Sequence, residues 1–235
     1  MIILQEEPLM PKKYLKYIFI IMILSLIFLS IYSTNNLLFL KIEAKENKES
    51  IKININNVNN LLNKATKSYY DGDWKKSLNL YKEILNKNNT NTEAIKNIIY
   101  IYKNKGNYTK AIDFYKKLIA LEPENYQWKF EYGISLYQTG QYKKCKTKLL
   151  KLHKDHFDLF SSRNKALILY YLGKCYFNNN KYKEAIKFFN KGVNIDKTLI
   201  LNYLGKATLY KQQKEYEKAI TNYETALKWD TSLSN

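Results

Sequence analysis

Residues 72–85 read GDWKKSLNLYKEIL: a turn-forming Gly, an aromatic, a small side chain three positions later, and a large apolar one four beyond that. A lone amphipathic helix would show this pattern once. Here the aromatic recurs as Trp74, Tyr108, Tyr142, Tyr182 and Tyr216, at intervals of 34, 34, 40 and 34 residues, each after a break containing Gly, Asn or Lys. Three residues after each aromatic stand Ser77, Ala111, Cys145, Ala185 and Ala219, and four further on Tyr81, Tyr115, Leu149, Phe189 and Tyr223. Positions i+3 and i+7 share one helical face, so each copy presents the same compact and large stripe.

The stretch before each break repeats as well. Nine residues ahead of the aromatic are Ala65, Ile99, Gly133, Gly173 and Ala207; six ahead are Ser68, Tyr102, Leu136, Tyr176 and Tyr210. Small residues in the first set let two helix backbones approach closely, with the compact residue of the second helix expected opposite. The unit is therefore an antiparallel helix pair fixed by a tight crossing.

A 34-residue helix-turn-helix unit of this kind resembles the tetratricopeptide repeat. The resemblance covers about residues 58–233 in five copies, and is strongest in NKGNYTKAIDFYKKLIALEPEN (104–125) and LGKCYFNNNKYKEAIKFF (172–189). It departs in three places: Pro123 is the sole loop proline, Ser77 replaces the usual alanine, and Lys206 occupies an apolar slot. The resemblance implies an all-α fold, an α-solenoid of helix pairs 58–91, 92–125, 126–165, 166–199 and 200–233 that twists into a right-handed superhelix with a concave groove. The six extra residues between the third and fourth copies fall in KLHKDHFDLFSSRNK (151–165) and are expected to lengthen a helix or loop.

Ahead of the repeats, residues 17–32, YIFIIMILSLIFLSIY, carry no charge, and none follows until Lys41, while Lys12, Lys13 and Lys16 precede them. Hydropathy predicts a transmembrane signal anchor over 17–40 after a basic cytoplasmic N-terminus, 1–16. It is followed by a polar linker, 41–57, and by the repeat domain, 58–235, on the extracytoplasmic side, in a bacterial periplasm. A cleaved secretory signal has the same outline and stays open as the alternative.

The formal charge is +18, from 39 Lys+Arg against 21 Asp+Glu, and Arg163 is the single arginine. The surplus favours anionic partners, but without arginine the planar fork that reads phosphates and guanine edges is nearly absent, so no nucleic acid is expected. Cys145 and Cys175 stand in no CxxC or metal-spaced motif. They are expected to be buried thiols, with a disulfide between neighbouring copies left open. His153, Asp155, His156, Asp158 and Ser161 lie close together, yet one surface segment supplies no convergent triad, and a solvated extension is the expectation. No phosphate loop or acidic dyad occurs, so neither catalysis nor a cofactor or metal is expected.

In the tetratricopeptide family the first helix of each pair lines the groove. The resemblance thus implies a partner-binding surface of Tyr69, Tyr70, Lys96, Tyr100, Lys103, Phe130, Tyr137, Tyr170, Lys174 and Phe177, aromatics interleaved with lysines that suit an extended peptide with apolar anchors and carboxylates. The family's carboxylate clamp is not matched, because Tyr100 and Glu131 stand where amides belong. Ile220, Leu227 and Trp229 on the last helix are expected to be partly exposed and open to self-association. The functional expectation is a non-enzymatic protein-interaction scaffold or assembly factor at the cell envelope, membrane-held and peptide-binding. The alternative is a basic adaptor for an anionic polymer or lipid surface.

Overall fold

The computed structural model describes the backbone of residues 12–230; residues 1–11 and 231–235, and the side chains of 12–19, 21, 27, 31, 32, 35 and 50–55, lie outside the described residues. The chain divides into two units, Met1–Asn60 and Leu61–Asn235. Among the described residues the regular structure is ten α-helices and one turn of 3₁₀ helix, with no strand.

Helix α1 spans Lys12–Tyr70, 59 residues without a break. The membrane anchor and the single-pass, extracytoplasmic localisation built on it are corrected here, because among the described residues no helix is long and apolar enough to cross a membrane. The described apolar side chains sit on a helix that does not stop at residue 40. It continues through the exposed Lys41, Glu43, Lys45, Glu46, Lys48 and Glu49, so charge follows on the same element. The basic N-terminus expected at 1–16 lies outside the described side chains.

The second unit is a run of helix pairs. First helices are the end of α1, then α3 (Thr92–Asn104), α5 (Tyr126–Gln138), α7 (Ser162–Phe177) and α9 (Ile200–Gln212). Second helices are α2 (Trp74–Lys87), α4 (Tyr108–Leu121), α6 (Tyr142–Asp155), α8 (Tyr182–Ile195) and α10 (Tyr216–Trp229). Every second helix begins on the recurring aromatic. Asp73 caps α2 by accepting from the Lys76 amide at 3.0 Å, Asn91 caps α3 from Ala94 at 2.9 Å, and Asn107 caps α4 from Lys110 at 3.2 Å. Each satisfies one of the amides a helix start leaves unpaired.

Between the helices of a pair the chain passes through the left-handed region at one fixed position, two before the aromatic. Gly72, Gly106 and Gly140 hold it with φ of 81°, 69° and 73°, and Asn180 and Lys214 hold it with φ of 56° and 63°. Glycine and asparagine take this conformation readily; lysine does so under strain.

The repeated stripe is the core through the first four copies, while in the fifth Ala219 is buried and Tyr223 is exposed. Ser77, Ala111, Cys145, Ala185, Tyr81, Tyr115, Leu149 and Phe189 are buried. The small residues of the first helices serve a different neighbour from the compact one expected. A Cβ built on Gly133 would meet Leu149 Cδ2 at 2.6 Å, and one on Gly173 would meet Phe189 Cε1 at 2.5 Å. The missing Cβ makes room for the large i+7 side chain of the partner helix, since that is the side chain that crosses the interface. Phe189 is confined from both sides, because a Cβ on Gly205 of α9 would also lie 2.5 Å from its Cε1. The extra residues of the third copy form the 3₁₀ turn Phe157–Leu159 and send Phe160 into the core, 8% exposed.

Candidate functional site

The first helices present one continuous side-chain face. At its N-terminal end Tyr69 meets Tyr70 edge-on at 5.5 Å, Trp74 at 4.8 Å and Tyr100 of α3 at 5.5 Å. Asn104 Nδ2 donates to the Tyr69 hydroxyl at 3.2 Å. Burial and the Tyr100 hydrogen bond lift the Tyr69 phenol above its ordinary value, while the Tyr69 hydrogen bond holds Tyr100 below it. Tyr70 is 81% exposed and Tyr100 52% exposed, which leaves two large aromatics facing solvent in one cluster. That is a surface other than a packed interior.

In the middle, two of the three lysines of the predicted set, Lys96 and Lys103, already have carboxylates. Lys96 Nζ pairs with Glu122 at 2.7 Å and lies 5.5 Å from the Trp128 ring centroid. Trp128 Nε1 donates to the same Glu122 at 2.6 Å. The Lys96 and Trp128 hydrogen bonds hold the Glu122 carboxyl below the usual carboxylate range. Lys103 Nζ donates to Glu131 Oε2 at 2.6 Å, and the Tyr115 hydroxyl donates to the same oxygen at 2.7 Å. Burial alone would lift Glu131; the Lys103 and Tyr115 bonds overcome it and set the carboxyl below its ordinary value. These two lysines are neutralised internally, Lys103 joining α3 to α5 and Lys96 joining α3 to the end of α4, and are not free counter-charges for a ligand.

Further along, Tyr137 accepts from Asn178 Nδ2 at 3.2 Å and meets Tyr171 at 5.4 Å. Tyr171 in turn meets Tyr170 at 5.1 Å. Burial raises all three phenols, that of Tyr171 to about 12. Lys174 Nζ lies 5.6 Å from the Phe177 ring centroid, and burial lowers its pKa. Lys174 thus remains a half-buried cation with no ion-pair partner among the described residues.

Phe130 is removed from the predicted surface. It is 2% exposed and packs edge-on against Phe160 at 5.9 Å, so the irregular segment after α6 buries it in the core. The polar partners Glu122, Trp128, Asn104, Asn178 and Tyr171 were not anticipated; the sequence signal for the two lysine pairings is an acidic residue somewhat less than one repeat on, Glu122 after Lys96 and Glu131 after Lys103. Amide pairs link the face as well, with Asn164 Nδ2 donating to Gln127 Oε1 at 3.1 Å.

Elsewhere, Cys145 and Cys175 are free, fully buried and members of one core cluster. A hydrogen bond with Cys175 and burial push the Cys145 thiol up, which makes it a poor nucleophile. His153 packs edge-on to Phe157 at 4.4 Å, while His156 stacks on Tyr126 at 3.9 Å. The two histidines are therefore spent on separate aromatics, and among the described residues no cluster of three or more His, Cys, Asp or Glu could hold a metal ion. On α10, Ile220, Leu227 and Trp229 are 55%, 58% and 43% exposed, as expected of the last helix among the described residues.

With this geometry in hand, the similarities to known proteins are informative. A family model described as tetratricopeptide repeat matches residues 100–125, and one described as anaphase-promoting complex, cyclosome, subunit 3 matches residues 156–226. Among curated proteins none matches this chain in sequence. Among solved structures, MamA residues 41 to the end from Desulfovibrio magneticus RS-1 superposes with a TM-score of 0.62 at 18% identity, covering 76% of this chain and 97% of that one. The structure titled as the functional characterization of pilF from Pseudomonas aeruginosa gives 0.57 at 17% identity, covering 73% and 76%. YrrB, titled as a TPR protein with an unusual peptide-binding site, gives 0.54 at 18% identity, covering 74% and 87%. The matches support tetratricopeptide-repeat character, and the structural likeness establishes the helical-repeat solenoid fold.

Proposed function

We propose that this chain is a non-catalytic interaction module that holds an extended peptide or protein segment across its first-helix face. The observation that carries the reading is the exposed aromatic cluster of Tyr69, Tyr70 and Tyr100 at one end of a ladder of amides and tyrosines. Aromatics supply large contact area at low entropic cost, and the side chains of Asn104 and Asn178 are placed to hydrogen-bond a peptide main chain. YrrB, a fold relative whose title names a peptide-binding site, supports the same use. The internal pairing of Lys96 and Lys103 changes the expected ligand: apolar and aromatic anchors dominate, and Lys174 is the cation left for a carboxylate.

The test is selection of peptides from a random library on the full chain, followed by titration against Tyr70→Ala/Tyr100→Ala. Loss of at least tenfold in affinity, about 1.4 kcal/mol, is expected. Unchanged affinity of every selected peptide would place binding elsewhere. The exposure of Ile220, Leu227 and Trp229 favours a second contact, self-association through α10, which light scattering of Trp229→Glu tests directly.

A further inference from the structure

On the other side of the unit, the second helices α4 and α6 flank a cavity of about 390 Å³ over α5. Its rim is made by Lys116 of α4, Lys129 of α5, Lys148 and Lys151 of α6, and His156 just beyond α6. The floor is apolar, formed by Ile119, Tyr132 and Leu152. Four cations from three successive helices converge on one opening, and no carboxylate lines it. The contrast with neighbouring hollows is direct: the cavity at Gly72–Asn107 is lined by Asp73, that at Glu124–Asn164 by Glu124, and that on α8 by Glu184.

The pairing of these cations sharpens the contrast. Lys116 pairs with Asp113 on its own helix at 3.2 Å with both side chains exposed, an interaction of small worth. Lys129, Lys148 and Lys151 have no ion-pair partner among the described residues. Lys129 Nζ is held 4.5 Å from the centroid of Tyr126, the ring on which His156 stacks. A single ring thus holds two members of the rim in place. Like charges gathered this way repel, and an anion that meets several of them together relieves that repulsion.

We infer that this cavity is a binding site for a compact small molecule carrying two or more phosphoryl groups. The chemistry of the lining selects that class. Lysines are rotatable point charges suited to phosphoryl oxygens spread around a centre, whereas a carboxylate is best matched by the arginine fork that this site lacks. The volume falls in the range of small-molecule sites, roughly 300–1,000 Å³. An acidic peptide fits less well, because the helical walls have their main-chain groups paired and the lining offers no amide or hydroxyl other than Tyr132 to hold a peptide backbone. The site is independent of the first-helix face, so either reading can fail alone.

The test is isothermal titration of the full chain with sodium tripolyphosphate, ATP and hexaglutamate at about 0.15 M salt, where diffuse surface attraction is screened beyond about 8 Å. Wild type is expected to bind one equivalent of tripolyphosphate. Lys148→Glu/Lys151→Glu is expected to weaken that binding at least tenfold, while Lys64→Glu/Lys67→Glu, which removes the same charge elsewhere, changes it less than twofold; circular dichroism confirms that both stay helical. ATP binding tenfold tighter than tripolyphosphate would assign the floor to a nucleotide's base, and equal affinity would assign the site to a condensed phosphate chain; both support the proposal. Equal weakening by the two variants, more than one equivalent bound, no binding, or hexaglutamate binding as tightly as tripolyphosphate would overturn it.

Discussion

Replacing Gly173 by alanine tests the packing rule on which the repeat rests. The added Cβ would lie 2.5, 2.7 and 2.9 Å from Cε1, Cδ1 and Cζ of Phe189. The ring cannot retreat toward α9, because Gly205 there approaches the same carbons equally closely. Overpacking a confined ring costs about 1–3 kcal/mol, while alanine in place of glycine in a helix returns about 1 kcal/mol. Net destabilisation of up to about 2 kcal/mol is expected, a fall in Tm of up to about 8 °C for a unit of this size. Thermal unfolding followed by circular dichroism measures it. In a Phe189→Leu background, where the flat ring is gone, the same Gly173→Ala change should cost less, giving a favourable coupling of at least about 0.5 kcal/mol. A rise in Tm on Gly173→Ala alone, or strict additivity with Phe189→Leu, would refute the claim that glycine is there to admit the ring.

Three further expectations follow from the same structure. Lys214→Gly relieves a left-handed lysine and should stabilise by about 0.5 kcal/mol, whereas Gly106→Ala, with open space around its Cβ position and φ of 69°, should destabilise by about 1 kcal/mol through the backbone alone; opposite signs in urea unfolding are the check. Glu131→Gln removes the charge that Lys103 and Tyr115 donate to and should cost about 1–3 kcal/mol at pH 7. The folded Glu131 carboxyl lies below its unfolded value, so its contribution is present above about pH 4.3 and is lost as pH falls through the folded value. Wild type and variant should therefore converge in acid, and a gap that persists at pH 2 would contradict the pairing. Trp229→Glu should lower the solution mass if α10 mediates self-association, and an unchanged mass by light scattering would rule that contact out.

The repeat was legible because its signals are local. The spacing of Trp74, Tyr108, Tyr142, Tyr182 and Tyr216 marks both helix starts and, two residues earlier, the left-handed turn; i+3 and i+7 name the buried stripe. What the periodicity did not reveal depends on groups brought together across repeats. Lys96 and Lys103 read as free groove cations until Glu122 and Glu131 are placed beside them, 26 and 28 residues on. Phe130 read as a surface aromatic because its cover, Phe160, comes from the one segment that breaks the period. The lysine-lined cavity was hidden for the same reason, since its rim is drawn from three helices whose lysines look, in sequence, like ordinary solvated faces. The N-terminal segment was read by composition into anchor and linker, whereas the backbone carries it as one helix through the charged residues.

The most direct test of the central claim, that the first-helix face holds a partner, is photo-crosslinking in the native cell with a reactive side chain at Tyr100 and a control at Lys187, an exposed position on the second helix α8. A discrete protein adduct from Tyr100 and none from Lys187 is the predicted result. Equal labelling from both positions, or none from Tyr100, would contradict the account.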